Sequence, residues 1–473
     1  MKNFKKILLI VLILPFMFLL SACALLDDSV YVTDIQQGAT IDGKTTYTIY
    51  YSNGPTSLFS VNDGEDGIDG KDLTIESIKE YCLENKIDFE SFLKEYLTIV
   101  QKNKTVQDAA NIAIQSAVTV WSEFPKHSGS IKSNQLGCGA GIIYKIEENY
   151  SYILTNYHVV YFSDCDTDDS IAQKITIYQY GTSEDVYKTD SVDEHGYPLY
   201  LYDDGAVEAE YIGGTMTYDL ALLRVKTEDL RKYNENVKAV EIASGYGLGE
   251  TAIAIGNPES LGFSVTSGII SVESEEIPII AADDRTSINY RVIRVDTAVN
   301  GGNSGGGLFN IDGQLIGIVN AKAVSSDIDN IAFAIPLDNV VAVAENILYY
   351  YSQNEEPSTV KHVSFGASYV GENSRALYDP ITNKTTIKED VTIKTLTFGF
   401  ANDMNMKIGD IITKISINGV EYDITRAYQV EDILLNLRAG DKVVFEVKRG
   451  NASQELGYTT SSGVPSAYFT TVV

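Results

Sequence analysis

Positive charge is scarce in this chain of 473 residues: 36 Lys and Arg stand against 65 Asp and Glu, a formal net charge of −29. A surface so acidic repels phosphate backbones, which excludes nucleic acid as a natural partner. Cysteines are few as well. Cys23, Cys82, Cys138 and Cys165 show no CxxC spacing, so neither a zinc motif nor the dense disulfide framework of a small secreted domain is present. No metal or cofactor is expected. Only four histidines, His127, His158, His195 and His362, are available for acid–base chemistry. Hydrophobic residues make up 44% with only 10 prolines, a folded rather than disordered composition. The length is too great for one core, so two or three domains are expected.

The apolar run near the start, Ile7 to Leu20, is interrupted by Pro15 and falls short of the roughly 18 residues of a membrane span. Preceded by Lys2, Lys5 and Lys6, it has the form of a secretory signal. Its ending, Leu20-Ser21-Ala22-Cys23, resembles the lipobox of bacterial lipoproteins. That resemblance implies removal of residues 1–22, acylation of Cys23 and tethering to the outer face of the cell membrane. More than one hydrocarbon chain gives a stable anchor. An ordinary signal or an uncleaved anchor is the alternative. Outside the cytoplasm disulfides are permitted, and Cys138–Cys165 is the candidate pair, with free buried thiols as the alternative.

Residues 23–73 are polar and short of apolar runs, and read as linker; 74–105 carry helical spacing and read as a helical spacer. From 106 to 345 the texture changes to short apolar runs bounded by turns, among them AVTVW, GIIYKI, DLALLRV and TAIAIG. That pattern predicts an all-β barrel domain. Within it, residues 163–210 hold 13 Asp and Glu against 2 Lys, an acidic insert readable as a lid, a partner surface or an inert loop. Asp164, Asp166 and Asp168 alternate like the start of a calcium loop, but no Gly occupies the sixth position and no Glu the twelfth. A helix near 338–353 and a polar linker over 346–360 lead to a third unit, 361–457, with a Ser/Thr-rich tail at 458–473.

The chemistry centres on VNGGNSGGGLFN, residues 299–310, where glycines surround Ser304. A phosphate loop needs a lysine and a following helix, yet this stretch has no lysine and leads into a strand, an Asp-Gly turn and another strand. A linker would not lie between apolar strands. A sharp turn presenting a nucleophile remains, with the N–H groups of Gly302 and Ser304 available to stabilise an oxyanion. A serine hydroxyl needs a base. His158 follows an apolar strand in SYILTNYHVV, whereas His127 and His195 lie in polar stretches. Asp219 stands alone at the head of DLALLRV, where an unpaired carboxylate is costly, so it calls for a partner such as His158.

Taken in order, ILTNYHVV, YDLALLRV, GNPESLGFSVTSGIIS, GGNSGGGLFN and NIAFAIP resemble the signatures of HtrA/Deg serine proteases. The resemblance implies a mostly β chymotrypsin-like double β-barrel with His158 as base, Asp219 as orienting acid and Ser304 as nucleophile. It implies Gly302, Asn303 and Ser304 at the oxyanion hole, and no cofactor. The segment KIGDIITKISINGV resembles the PDZ domain (α+β) that such proteases carry, with Ser364-Phe365-Gly366-Ala367 as a weak match to its carboxylate-binding stretch. Protein and peptide substrates, and a homo-oligomer such as a trimer, are implied by the same likeness. Ala298 would floor the specificity pocket, with Ile318, Val319 and Asn320 as a wall, favouring small or medium aliphatic P1 residues. Gly301 and Gly307 replace the usual prolines and are expected to loosen the loop. Two competing readings are an α/β-hydrolase using His362 and a non-enzymatic chaperone or peptide-binding module. The first separates cleanly: His158→Ala should abolish hydrolysis and His362→Ala leave it intact, measured with a peptide or ester substrate.

Overall fold

The computed structural model describes residues 32–41, 44–51, 56–62, 83, 104–258, 262–320, 331–380, 384–458 and 463–471. Residues 1–99 and 100–473 form two separate compact units. In the first, strands Val32–Ile41, Lys44–Tyr51 and Thr56–Asn62 make an antiparallel meander where a linker was expected. Its middle strand reads KTTYTIYY, rich in β-branched and aromatic residues that suit a pleated backbone. The absence of an apolar run concealed it. The signal segment, Cys23, Cys82 and nearly all of the expected helical spacer lie outside the described residues.

The second unit is built around two closed six-stranded barrels. Strands Ala117–Ser128, Ile131–Ile146, Tyr150–Thr155, Leu220–Lys226, Val207–Thr215 and Lys174–Gln179 close the first. Strands Thr251–Gly256, Ser264–Ile280, Ser287–Val295, Ala332–Pro336, Leu315–Val319 and Gly307–Phe309 close the second. Closure removes free sheet edges. This is the mostly β, double-barrel architecture expected from the sequence.

The strands of the first barrel are apolar on both faces because both faces are covered. Ala221, Leu223 and Val225 point into that barrel's own core with Val118, Val120 and Ile153. Their neighbours Leu220 and Leu222 join Ile142 and Leu154 in the core shared with the second barrel, beside Phe309 and Ile316. Each such side chain taken from water contributes about 1.5–3 kcal/mol. The run DLALLRV is thus a stave between two cores.

The acidic insert needs a correction at both ends. Lys174–Gln179 and Val207–Thr215 are barrel strands, with Ile175, Ile177, Val207 and Ala209 buried. Their period-2 apolar residues were masked by the surrounding charge. Only the arm between them projects, carrying the hairpin Val186–Val192/Pro198–Tyr202. Two of the three alternating acids have protein partners: Asp164 pairs with Lys126 at 2.6 Å, and Asp166 with His127 and Tyr197, each at 2.7 Å.

Helix Leu337–Asn354 follows, burying Val340, Val343, Ala344, Ile347 and Tyr351 at helical spacing against the barrels. It ends on Glu355 in the left-handed conformation. The stretch 346–360 is accordingly no loose linker. Asn346, fully buried, donates to the carbonyls of Lys361 and Leu435 and accepts from the Lys361 N–H. Ser358 exchanges backbone hydrogen bonds with Ile212 and Gly214 of the first barrel.

The C-terminal region forms a sheet from Ala367–Asp379 through Lys384–Leu396, Ile411–Ile417, Val443–Arg449 and Ala452–Tyr458, with Val420–Asp423 paired on Ile411–Ile417. Phe365, Phe400 and Phe445 pack at its centre. Helix Tyr428–Leu434 meets the second barrel. There Arg291 meets Asp432 at 2.6 Å with both side chains nearly inaccessible, and its guanidinium lies 4.3 Å from the Tyr428 ring. Burial pushes the Asp432 carboxyl upward against the pull of Arg291. Removing one partner strands a charge in a dry contact. Arg291→Ala should therefore destabilise by about 3–5 kcal/mol, read as a lower midpoint in thermal unfolding.

Candidate active site

Asp219 precedes strand Leu220–Lys226 with φ of 47°, a left-handed conformation that costs a non-glycine residue energy. Its surroundings recover that cost. The Asp219 backbone carbonyl accepts from the Tyr157 N–H at 3.1 Å and from Asn156 Nδ2 at 2.9 Å. One carboxylate oxygen accepts the His158 N–H at 2.9 Å; the other lies 2.6 Å from His158 Nδ1 and accepts from Asn320 Nδ2 at 3.0 Å. Because a carboxylate only accepts, Nδ1 carries the proton and Nε2 is left as the basic nitrogen. His158 itself sits on the one-turn helix Tyr157–Val160 at the end of strand Tyr150–Thr155.

Ser304 is nearly buried where the barrels meet. Its carbonyl accepts from the Ala140 N–H of the first barrel at 2.8 Å. The turn around it is closed by Asn303 N–H to Asn300 O at 3.1 Å and Gly306 N–H to Asn303 O at 3.0 Å. Gly305 N–H binds Val319 O at 3.0 Å. Gly302 and Gly305 have φ of 94° and 85°, where a side chain is strained. A Cβ on Gly305 would also fall 2.2 Å from the Ala140 carbonyl oxygen. Gly307, expected to loosen the loop, is instead a buried strand residue on which a Cβ would strike the Phe309 ring at 2.3 Å. It packs the turn down.

His158 and Ser304 open into one cleft of about 380 Å³, lined also by Gly301, Gly302, Cys138 and Phe162. A basic imidazole nitrogen, a hydroxyl and a glycine-rich turn thus line one cleft, the components that nucleophilic acyl transfer requires.

The structure corrects several expectations. Asn303, expected at the oxyanion hole, instead donates its N–H to the Asn300 carbonyl. Ile318 and Val319 belong to the barrel core rather than to a pocket wall. Asn320 is fully buried and serves Asp219. Ala298 is exposed, its carbonyl accepting from Thr266 Oγ1 at 2.8 Å, and the stretch 321–330 lies outside the described residues. Cys138 and Cys165 are thiols and are not bridged to each other. Cys138 faces the cleft, whereas Cys165 is buried in its own loop with the Thr167 hydroxyl 3.2 Å from its sulfur. His362, available to the competing hydrolase reading, is stacked on Tyr218 at 5.6 Å in the C-terminal region. Sequence reasoning missed Asn156 and misread Asn320. A polar residue shortly before His158 in an apolar run was the available signal for the first.

By fold and site this is the constellation of a serine peptidase of trypsin-like architecture. Residues 139–318 match the family of trypsin-like peptidase domains, and the chain carries such a domain. The chain is 33% identical over 223 residues to the serine protease Do-like HtrA of Bacillus subtilis, 47% of this chain and 41% of that protein. It is 28% identical over 334 residues to a serine protease HtrA-like protein of Staphylococcus aureus (strain MRSA252), 68% of this chain and 38% of that one. The match thus spans about two fifths of each relative. A serine endoprotease from Yersinia pestis aligns over 75% of this chain and 96% of its own at 22% identity, with a TM-score of 0.39, too loose an overlap for any functional inference.

Gly305→Ala tests the turn. With a strained φ and no room for a Cβ, it should cost more than about 1 kcal/mol, measured by denaturant unfolding.

Proposed function

We propose that this protein is an HtrA-type serine endopeptidase working through an acyl-enzyme. The observation that carries the reading is the clasp on Asp219, which fixes the tautomer and direction of His158 at the cleft holding Ser304. His158 Nε2 takes the Ser304 hydroxyl proton as Oγ bonds to the substrate carbonyl carbon. The carbonyl oxygen becomes an oxyanion facing the N–H groups of Gly302 and Ser304, and each such donor is worth about 3–4 kcal/mol in the transition state. Collapse breaks the C–N bond, and His158 returns the proton to the leaving amine. Water, deprotonated by the same nitrogen, then releases the acid and restores Ser304. Asp219 stays ionised and stabilises the imidazolium.

In this reading the enzyme is tethered outside the cell membrane through acylated Cys23 and cleaves unfolded or exposed segments of envelope proteins. The lipobox-like ending and the apolar run before it support the tether. The reading of small or medium aliphatic P1 residues rests on the sequence alone, in which the position expected at the pocket floor is Ala298 and not an acid. The C-terminal sheet with helix Tyr428–Leu434 acts as a PDZ-type domain in a homo-oligomer, by likeness to the family. Its Ser364–Ala367 stretch packs on the 397–401 turn, with Gly366 at φ of 76° and the Ser364, Phe365 and Gly366 carbonyls all accepting backbone hydrogen bonds.

A fluorophosphonate probe followed by peptide mapping should label Ser304 alone, and Ser304→Ala should lose both labelling and proteolysis. Labelling elsewhere, or none, defeats the proposal. Asp219→Asn should remain folded yet lose about 10⁴-fold in kcat. Cys23→Ala should move the protein out of the membrane fraction and abolish incorporation of labelled palmitate.

A further inference from the structure

The arm projecting from the first barrel returns to touch the second, and the contact falls behind the oxyanion turn. Tyr180, at the root of the arm, packs edge-on against Phe263 with ring centroids 5.7 Å apart. Four residues on, Glu184 Oε2 accepts from Asn257 Nδ2 at 3.2 Å. The Thr119 hydroxyl hydrogen-bonds the same carboxylate, and burial pushes the Glu184 carboxyl above its ordinary range.

Asn257 is fully buried, and both ends of its side-chain amide are hydrogen-bonded. Its Oδ1 accepts from the Gly262 N–H at 2.8 Å, and its Nδ2 donates to Thr119 Oγ1 at 3.1 Å as well as to Glu184. Its backbone N–H donates to the Gly302 carbonyl at 3.3 Å. That last bond bears on catalysis. The peptide joining Gly302 to Asn303 is held at both ends, its oxygen by Asn257 and its N–H by the Asn300 carbonyl. Rotation of this peptide would change the course of the turn between Gly302 and Ser304, the two residues whose N–H groups are the proposed oxyanion donors. Directly behind it, a Cβ on Gly256 would lie 2.6 Å from Asn303 Oδ1, so Asn257 and the turn form one packed block.

We infer that Glu184 is a positioning residue for the peptidase reaction: the acidic arm holds Asn257, and Asn257 holds the Gly302 carbonyl and with it the oxyanion turn. The inference rests on the peptidase reading and gives the arm a role in it. Glu184 does not touch substrate, and its carboxylate reaches the reacting atoms only through the Asn257 amide.

The test compares wild type, Glu184→Ala and Glu184→Gln in the full chain. Labelling of wild-type Ser304 by a fluorophosphonate tests the peptidase reading by itself. Deuterium exchange of the peptide covering 299–310 tests the positioning whether or not the protein is active. Glu184→Ala should lower kcat about tenfold, roughly 1.4 kcal/mol on the barrier, with KM within about twofold. Exchange at 299–310 should rise while that of strand Tyr150–Thr155 stays unchanged. Glu184→Gln keeps an acceptor oxygen for Asn257 and should recover both values. Three results would overturn the inference: unchanged kcat and exchange in Glu184→Ala, a rise in exchange spread over both barrels, or a Gln variant as impaired as Ala.

Discussion

The structure hangs on one carboxylate. Asp219 is held by Asn156, Tyr157 and His158 from the end of one strand and by Asn320 from the other barrel. Two six-stranded barrels could pack against each other in many registers through apolar contact alone, since burial is non-directional. A nearly buried anion with directional donors from both sides singles out one of them. Its worth is greatest where water is excluded, and an unpaired charge there would be prohibitive. The strained backbone of Asp219 is tolerated because the same hydrogen bonds hold it.

The turn at Ser304 obeys a similar logic with neutral groups. Ala140 within one strand, and Asn257 and Val319 at the ends of two others, grip its backbone, and the glycines fit because carbonyl oxygens stand where side chains would be. Glycine at 307 does not leave this loop slack. At 307 the chain is already strand, and the Phe309 ring fills the space. Around the cleft, the acidic arm and the helix Leu337–Asn354 bring distant segments onto the same two barrels. Tyr218, next to Asp219, donates its hydroxyl to Glu431 of the C-terminal domain at 3.0 Å, so that domain's contact lies one residue from the triad.

Much of this was legible in the sequence, and the failures have physical causes. The strands AVTVW, DLALLRV and TAIAIG stood out because burial on two faces makes a continuous apolar run. The strand at Lys174–Gln179 did not, because acidic neighbours dominated the composition of its surroundings. The meander at 32–62 is polar enough to resemble linker, its strand character residing in Thr, Tyr and Ile. The candidate Cys138–Cys165 bridge failed because sequence spacing carries no information on where two thiols point.

By itself the sequence determined the barrel class and singled out Ser304, His158 and Asp219, because each is a rare residue in an environment that sequence reveals. A serine among glycines, a histidine ending an apolar strand and a solitary aspartate heading another leave few other readings. Only the tertiary structure decided the partners that act through space. Asn320 lies 101 residues from Asp219 and Glu184 lies 73 from Asn257, each pair joined by one hydrogen bond. Such a bond depends on a few tenths of an ångström and on direction, and neither is written in the order of residues before the barrels close.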